Sequence, residues 1–173
     1  MNSRENLKLS GKVKIVLTGE DGNIKDTREI KNLVVQNGLR WITESMAKTT
    51  VNSPAAMTHM AVGNSTTAAG DTDSALLGTS TMRKGLTSTQ TNIVPSGGNL
   101  DGKGNIIYTA TFASTDNFSG VTGTQTSAIT EAGIFNDATT GTMLCRTTFP
   151  VVNKGTSDTM TVTWTITLDA VTS

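Results

Sequence analysis

The most regular pattern in the chain lies near its end. There Met160, Val162, Trp164, Ile166 and Leu168 alternate without a break with Thr161, Thr163, Thr165 and Thr167. A period of two describes an extended strand with one face in a core and the other in water, which favours antiparallel pairing. The same alternation marks Val13, Ile15 and Leu17 within residues 12–18, and Ile106, Tyr108, Ala110 and Phe112 against Ile107, Thr109 and Thr111. Apolar runs at 57–62, 129–135 and 143–152 predict further strands. Glu20-Asp21-Gly22-Asn23 has hairpin-turn chemistry and leads into a return strand from Ile24 to about Leu33. One helix is predicted, because Val35, Leu39, Ile42 and Met46 fall on one helical face; Asn37 would cap it before Gly38, and residues 49–54 would end it. A helical turn capped by Thr72 is expected at 73–77. A Thr/Ser-rich strand is expected over 81–94, a glycine loop over Pro95–Asn105 and a long polar loop over Ser114–Thr126. Seven or eight strands and one short helix predict an all-β fold: an antiparallel β-sandwich or partly closed barrel. Residues 1–10 read as an extended polar N-terminal arm and 11–173 as a single sandwich domain.

Composition agrees with this picture and narrows the function. A chain of 173 residues accommodates one core. Its 33 threonines suit strands and its 17 glycines suit turns and bulges. Basic and acidic residues balance at 14 each, which disfavours nucleic acid, since phosphate binding needs a surplus of Lys and Arg. The balance equally disfavours electrostatic attachment to a membrane, and no apolar stretch approaches the roughly 20 residues of a spanning helix. Met1-Asn2-Ser3-Arg4-Glu5-Asn6 has no apolar segment behind it, so no secretory signal is expected. Cys145 is the only cysteine, which rules out an internal disulfide and fits assembly in a reducing cytosol.

Candidate chemistry is sparse. His59 is the only histidine, so any Ser/His/Asp or Cys/His mechanism would have to use it; in Ala56-Met57-Thr58-His59-Met60-Ala61 it reads as a packed or hydrogen-bonded imidazole. Cys145 reads as a small core residue. Gly97, Gly98, Gly102 and Gly104 lack the Lys-Ser/Thr and helix of a phosphate loop. Asp21-Gly22-Asn23-Ile24-Lys25-Asp26 puts Lys25 where a calcium loop needs an oxygen ligand. Neither a metal nor a cofactor is expected, and no catalytic residue is assigned. Glu131 stands apart as a carboxylate in the otherwise apolar run Ala128–Phe135. Such a group either faces solvent or is buried and paired, and Arg83 and Arg146, each in a predicted strand, are the candidate partners. A carbohydrate-binding module would need exposed aromatic platforms, yet Trp41 and Trp164 both lie in elements predicted to pack.

Over residues 30–168 a set of segments resembles small virion proteins of tailed bacteriophages. The set comprises Lys31-Asn32-Leu33-Val34-Val35, Met57-Thr58-His59-Met60-Ala61-Val62-Gly63-Asn64 with Thr66-Thr67-Ala68 and Ala75-Leu76, and Ile129-Thr130-Glu131-Ala132-Gly133-Ile134-Phe135-Asn136. It continues with Gly141-Thr142-Met143-Leu144-Cys145-Arg146 and ends with Thr161-Val162-Thr163-Trp164-Thr165-Ile166. The resemblance implies a non-enzymatic β-sandwich subunit of the particle, assembled in the host cytoplasm. The expectation is a capsid decoration, or cement, protein: a homo-oligomer, a trimer, bound to the phage major capsid protein. A tail or baseplate protein that attaches fibres is the alternative. Arg4, Leu7, Lys8 and Leu9 of the arm, with the hairpin Lys12–Leu33, are the expected capsid contacts, and removing residues 1–10 is expected to abolish binding with the fold intact. The loops Pro95–Asn105 and Ser114–Thr126 are assigned to the outer surface or to contacts between subunits.

Overall fold

The computed structural model describes residues 5–47, 53–96 and 99–172. Ten strands and one helix follow in chain order: β1 (Glu5–Thr18), β2 (Ile24–Lys31), β3 (Leu33–Val34), α1 (Gln36–Ala47), β4 (His59–Gly63), β5 (Thr81–Gly85), β6 (Ser88–Ser96), β7 (Asn99–Phe112), β8 (Thr126–Phe135), β9 (Met143–Gly155) and β10 (Thr159–Thr172). They form two five-stranded antiparallel sheets, ordered β2-β1-β10-β7-β6 and β3-β9-β8-β4-β5. The fold is an all-β sandwich, and the two sheets remain separate without closing into a barrel.

The first sheet obeys the alternation in the sequence. Val13 pairs with Trp164, which pairs with Tyr108; Ile15 pairs with Val162, which pairs with Ala110; Leu17 pairs with Met160, which pairs with Phe112. All nine side chains are buried and face the second sheet, which contributes Met60, Val62, Ile129, Ala132, Ile134, Cys145 and Val152 to the same core. Each fully buried Ile, Phe or Met contributes about 1.5–3 kcal/mol. The intervening threonines 161, 163 and 165 form part of the outer face. Both tryptophans pack: Trp164 is fully buried, and Trp41 lies against the core with its Nε1 donating to the Ala55 carbonyl at 2.9 Å.

Several expectations are corrected. Glu5 to Ser10 are not a separate arm but the first six of the fourteen residues of β1, in register with β10 from Glu5↔Thr172 to Ser10↔Thr167. The cause is the phase of the side chains: Leu9 continues the inward series of Val13, Ile15 and Leu17 and packs on the core, while Leu7, in the same phase, lies beyond it and is exposed. Removing residues 1–10 would therefore strip six of the fourteen residues of an interior strand rather than leave the fold untouched. The strand expected over 81–94 is two strands in different sheets. The break falls at Leu86 and Thr87, whose backbone N–H groups donate to the carbonyls of Thr58, just before β4 of one sheet, and of Thr109 in β7 of the other. The return strand from Ile24 likewise crosses between sheets, at Asn32. These two divisions contribute to a total of ten strands. The loop expected over Pro95–Asn105 is largely paired, with β6 and β7 matched out to Ser96↔Asn99.

The helix also turns a different face. Gly38 is buried, Trp41 and Ile42 pack on the core, and Leu39 and Met46 are 49% and 74% exposed. Gly38 sets this phase, because a Cβ there would collide with the Leu144 carbonyl of β9. Asn37 is inside the first turn rather than capping it; the Gln36 N–H at the helix start donates to the Asp71 carbonyl at 2.7 Å.

Candidate functional site

Beside the main core, the largest concentration of buried charge lies on the outer face of the second sheet. Its strands place small residues there: Ala61 of β4 pairs with Gly133 of β8, which pairs with Arg146 of β9. A register shift in β8 between Ile129 and Glu131 swaps the faces, so that Ile129 points into the main core and Glu131 points out, over Gly63 of the neighbouring strand. Glu131 and Arg146 nevertheless have no exposed surface, because the connection between β4 and β5, residues 64–80, folds over them.

The bonding is dense. Arg146 donates to Glu131 Oε2 from Nε at 3.0 Å and from Nη2 at 2.9 Å, and from Nη1 to Asp73 Oδ2 at 2.8 Å. Its remaining donors reach the carbonyls of Thr67 at 3.0 Å and Ala68 at 3.3 Å. Glu131 Oε1 accepts the backbone N–H of Gly78 at 2.7 Å and of Ser65 at 3.3 Å, while Oε2 also accepts Leu77 N–H at 3.1 Å. Thr130 Oγ1 donates to the Ser65 carbonyl at 2.8 Å, and Asp73 Oδ2 accepts Gly70 N–H at 2.8 Å. A buried ion pair is favourable only when its remaining donors and lone pairs are occupied, and here they are. Gly63 and Gly78 make room for the carboxylate, since a side chain at either would strike Glu131 Oε1. A small apolar group, Val35, Ala61, Phe135 and Met143 with Leu76 against them, fills the rest of the space under the connection.

The structure thus pairs Glu131 with Arg146 and not with Arg83. Arg83 lies on the same face but its guanidinium stacks on the Phe135 ring, 3.7 Å from its centre, and donates to the carbonyls of Asp137 at 2.9 Å and Thr140 at 2.8 Å. The helical turn expected at 73–77 does not form, because Asp73 holds Arg146 and the N–H groups of Leu77 and Gly78 go to Glu131. Asp73 and the three loop amides carry no signal in the sequence. The glycines at 63 and 78 do.

The other candidates are dispersed. His59 Nδ1 is 2.8 Å from the hydroxyl of its neighbour Thr58. Cys145 is buried in the main core, where burial pushes its thiol well above the usual range. Among the described residues no group of three or more His, Cys, Asp and Glu side chains converges on one point, and no helix is long and apolar enough to cross a membrane. Arg4 lies outside the described residues. Leu7 is 68% exposed, Lys8 is exposed and Leu9 is half-buried. A second buried cation carries no signal in the sequence. Lys154 has no exposed surface, and its Nζ has only long contacts, to Asn117 Oδ1 at 3.3 Å and the Ser114 carbonyl at 3.4 Å. Burial lowers its pKa, against the opposing pull of Asp116 and Asp158. These contacts tether the connection 113–125, which is also held by Lys84 on Asp116 at 2.9 Å.

No family model, no curated protein and no solved structure matches the chain.

Proposed function

We propose that the chain is a non-enzymatic structural subunit of a tailed-phage virion, acting as a capsid decoration protein that bridges neighbouring capsomers. The observation that carries this reading is the use of buried charge. Glu131, Arg146 and Asp73 fix the course of a long surface connection, and Lys154 and Asp116 help hold a second, so that polar loops keep one shape on a rigid sandwich. A docking protein needs fixed surfaces, since ordering loops on binding would cost affinity. The resemblance of residues 30–168 to small virion proteins supplies the setting. In this role the partners are other copies of the chain, as a homotrimer, and the major capsid protein. Individually weak contacts repeated over a symmetric shell add up to avidity. Exposed Leu7 and Lys8 on β1 are the proposed shell-facing residues among those described.

The test is copy number in purified particles by quantitative mass spectrometry. Copies in proportion to the capsid lattice are the expected result. A number set by tail symmetry would move the protein to the tail or baseplate, and its absence from particles would end the proposal.

A further inference from the structure

Among the described residues the sandwich has four edge strands, and three of them are poor templates for another strand. β2 carries Lys25, Asp26, Arg28, Glu29 and Lys31 in eight residues, and its charges are engaged, Lys25 with Asp158, Arg28 with Asp26 and Glu29 with Lys12. β5 has five residues, with Arg83 and Lys84 among them, and β3 has two. Charge and brevity are the ordinary means by which sheets keep their edges from pairing.

β6 lacks both. It has nine residues, Ser-Thr-Gln-Thr-Asn-Ile-Val-Pro-Ser, with no charge among them, and among the described residues only β7 pairs with it. Thr89, Gln90, Thr91 and Asn92 are all exposed, including those in the register positions that elsewhere in this sheet face the core. Its free edge therefore presents backbone N–H and C=O groups to solvent beside short polar side chains. We propose that β6 is a self-association edge, pairing antiparallel with β6 of a second copy about a two-fold axis near Gln90.

The choice of a second copy follows from symmetry. Antiparallel self-pairing brings residues near the axis opposite themselves or their near neighbours, so a charge of one sign close to the axis would meet its own kind. A register centred on Gln90 sets Ser88 opposite Asn92 and Thr89 opposite Thr91, all uncharged hydrogen-bonding pairs. An edge without charge also offers nothing to select a foreign strand by sign. Pro95, which has no N–H, and the register shift between Ile93 and Pro95 end the ladder at the far side. The pairing stands independently of the virion reading, and it adds a two-fold contact to any three-fold association made elsewhere on the molecule.

The test compares the whole chain with Gln90→Lys and Gln90→Glu by sedimentation equilibrium over a concentration series, with circular dichroism to confirm the fold. Wild type is expected to dimerise, and each variant to dimerise about fivefold more weakly, because like charges meet at the axis. An equimolar mixture of the two variants should regain the lost affinity. Hydrogen exchange on the wild type gives a readout that needs no variant: β6 amides should gain protection as concentration rises. A wild type that stays monomeric, variants that dimerise as well as it does, a mixture without recovery, or β6 amides indifferent to concentration would each overturn the proposal.

Discussion

Replacing Glu131 by Gln keeps the shape of the side chain and removes its charge, which isolates the electrostatic part of the buried cluster. Five N–H groups converge on this carboxylate: Ser65 and Gly78 on Oε1, and Leu77 with two donors of Arg146 on Oε2. An amide oxygen can serve only one side. If it faces Arg146, the new NH2 confronts the N–H groups of Gly78 and Ser65; if it faces them, it confronts Leu77 and the guanidinium. Hydrogen bonds to a charged partner contribute about 1.5–3 kcal/mol each. Arg146 retains Asp73 but loses its fully buried counter-charge, so the expected loss is about 3–5 kcal/mol, the usual cost of breaking a buried pair. That is a large part of the roughly 5–15 kcal/mol that holds a domain together. For a chain of this length it lowers Tm by about 6–20 °C. Urea denaturation of Glu131→Gln, Arg146→Met and the double variant supplies the full cycle. The double variant should lose less than the sum of the singles by about 1 kcal/mol or more, since each single already breaks the shared contact. A Glu131→Gln loss within about 0.5 kcal/mol of zero, the range of ordinary surface changes, or strict additivity would refute the reasoning.

Gly38→Ala should destabilise by about 1–3 kcal/mol in spite of alanine's higher helix propensity, because its methyl meets the Leu144 carbonyl; a gain in stability would show that the helix can retreat from β9. Lys154→Met should leave stability unchanged or raise it, read as the urea midpoint at constant m, because a buried cation with only long hydrogen bonds is exchanged for an apolar side chain of similar length. The sign of the accompanying pH effect is fixed by burial, which lowers the folded-state pKa of this lysine: wild type should gain on the variant as pH rises through that lowered value toward 10.5, and no gain would contradict it. Asp137 is held at about 2, against an ordinary 3.8, by the N–H groups of Thr139 and Thr140. Its contribution is complete above 3.8 and is lost as pH falls through about 2, so amide signals of Thr139 and Thr140 should shift in that window and cease to do so in Asp137→Asn.

The period-two segments were legible because each has one buried face, and the core pairs of β1, β10 and β7 follow directly from Val13, Trp164, Tyr108 and their alternating neighbours. The start of β1 was not legible: Leu7 and Leu9 share the phase of Val13, but the charged and polar residues around them give the segment the pattern of an arm. Pattern could place Arg83 and Arg146 on strands as possible partners of Glu131. It could not choose between them, because the choice depends on how four strands align across the sheet. Apolar spacing places Leu39 and Met46 on the packed face of the helix, where they do not lie, since it ignores the close backbone approach that Gly38 permits. The covering of Glu131 by residues 64–80 left no periodic trace, being made by backbone N–H groups that bond to a carboxylate 53 to 66 positions away.

The neighbouring positions of β1 and β10 have a mechanical consequence. Glu5 lies opposite Thr172, at the same end of a ladder that runs on to Thr18 opposite Thr159. Tension applied across Glu5 and Thr172 therefore loads the hydrogen bonds one pair after another, as a zip opens, whereas tension between Thr18 and Thr172 shears the whole ladder at once. The same two strands yield easily in one direction of pull and resist in the other, so the point of anchorage, more than the number of bonds, decides how much load this sandwich bears.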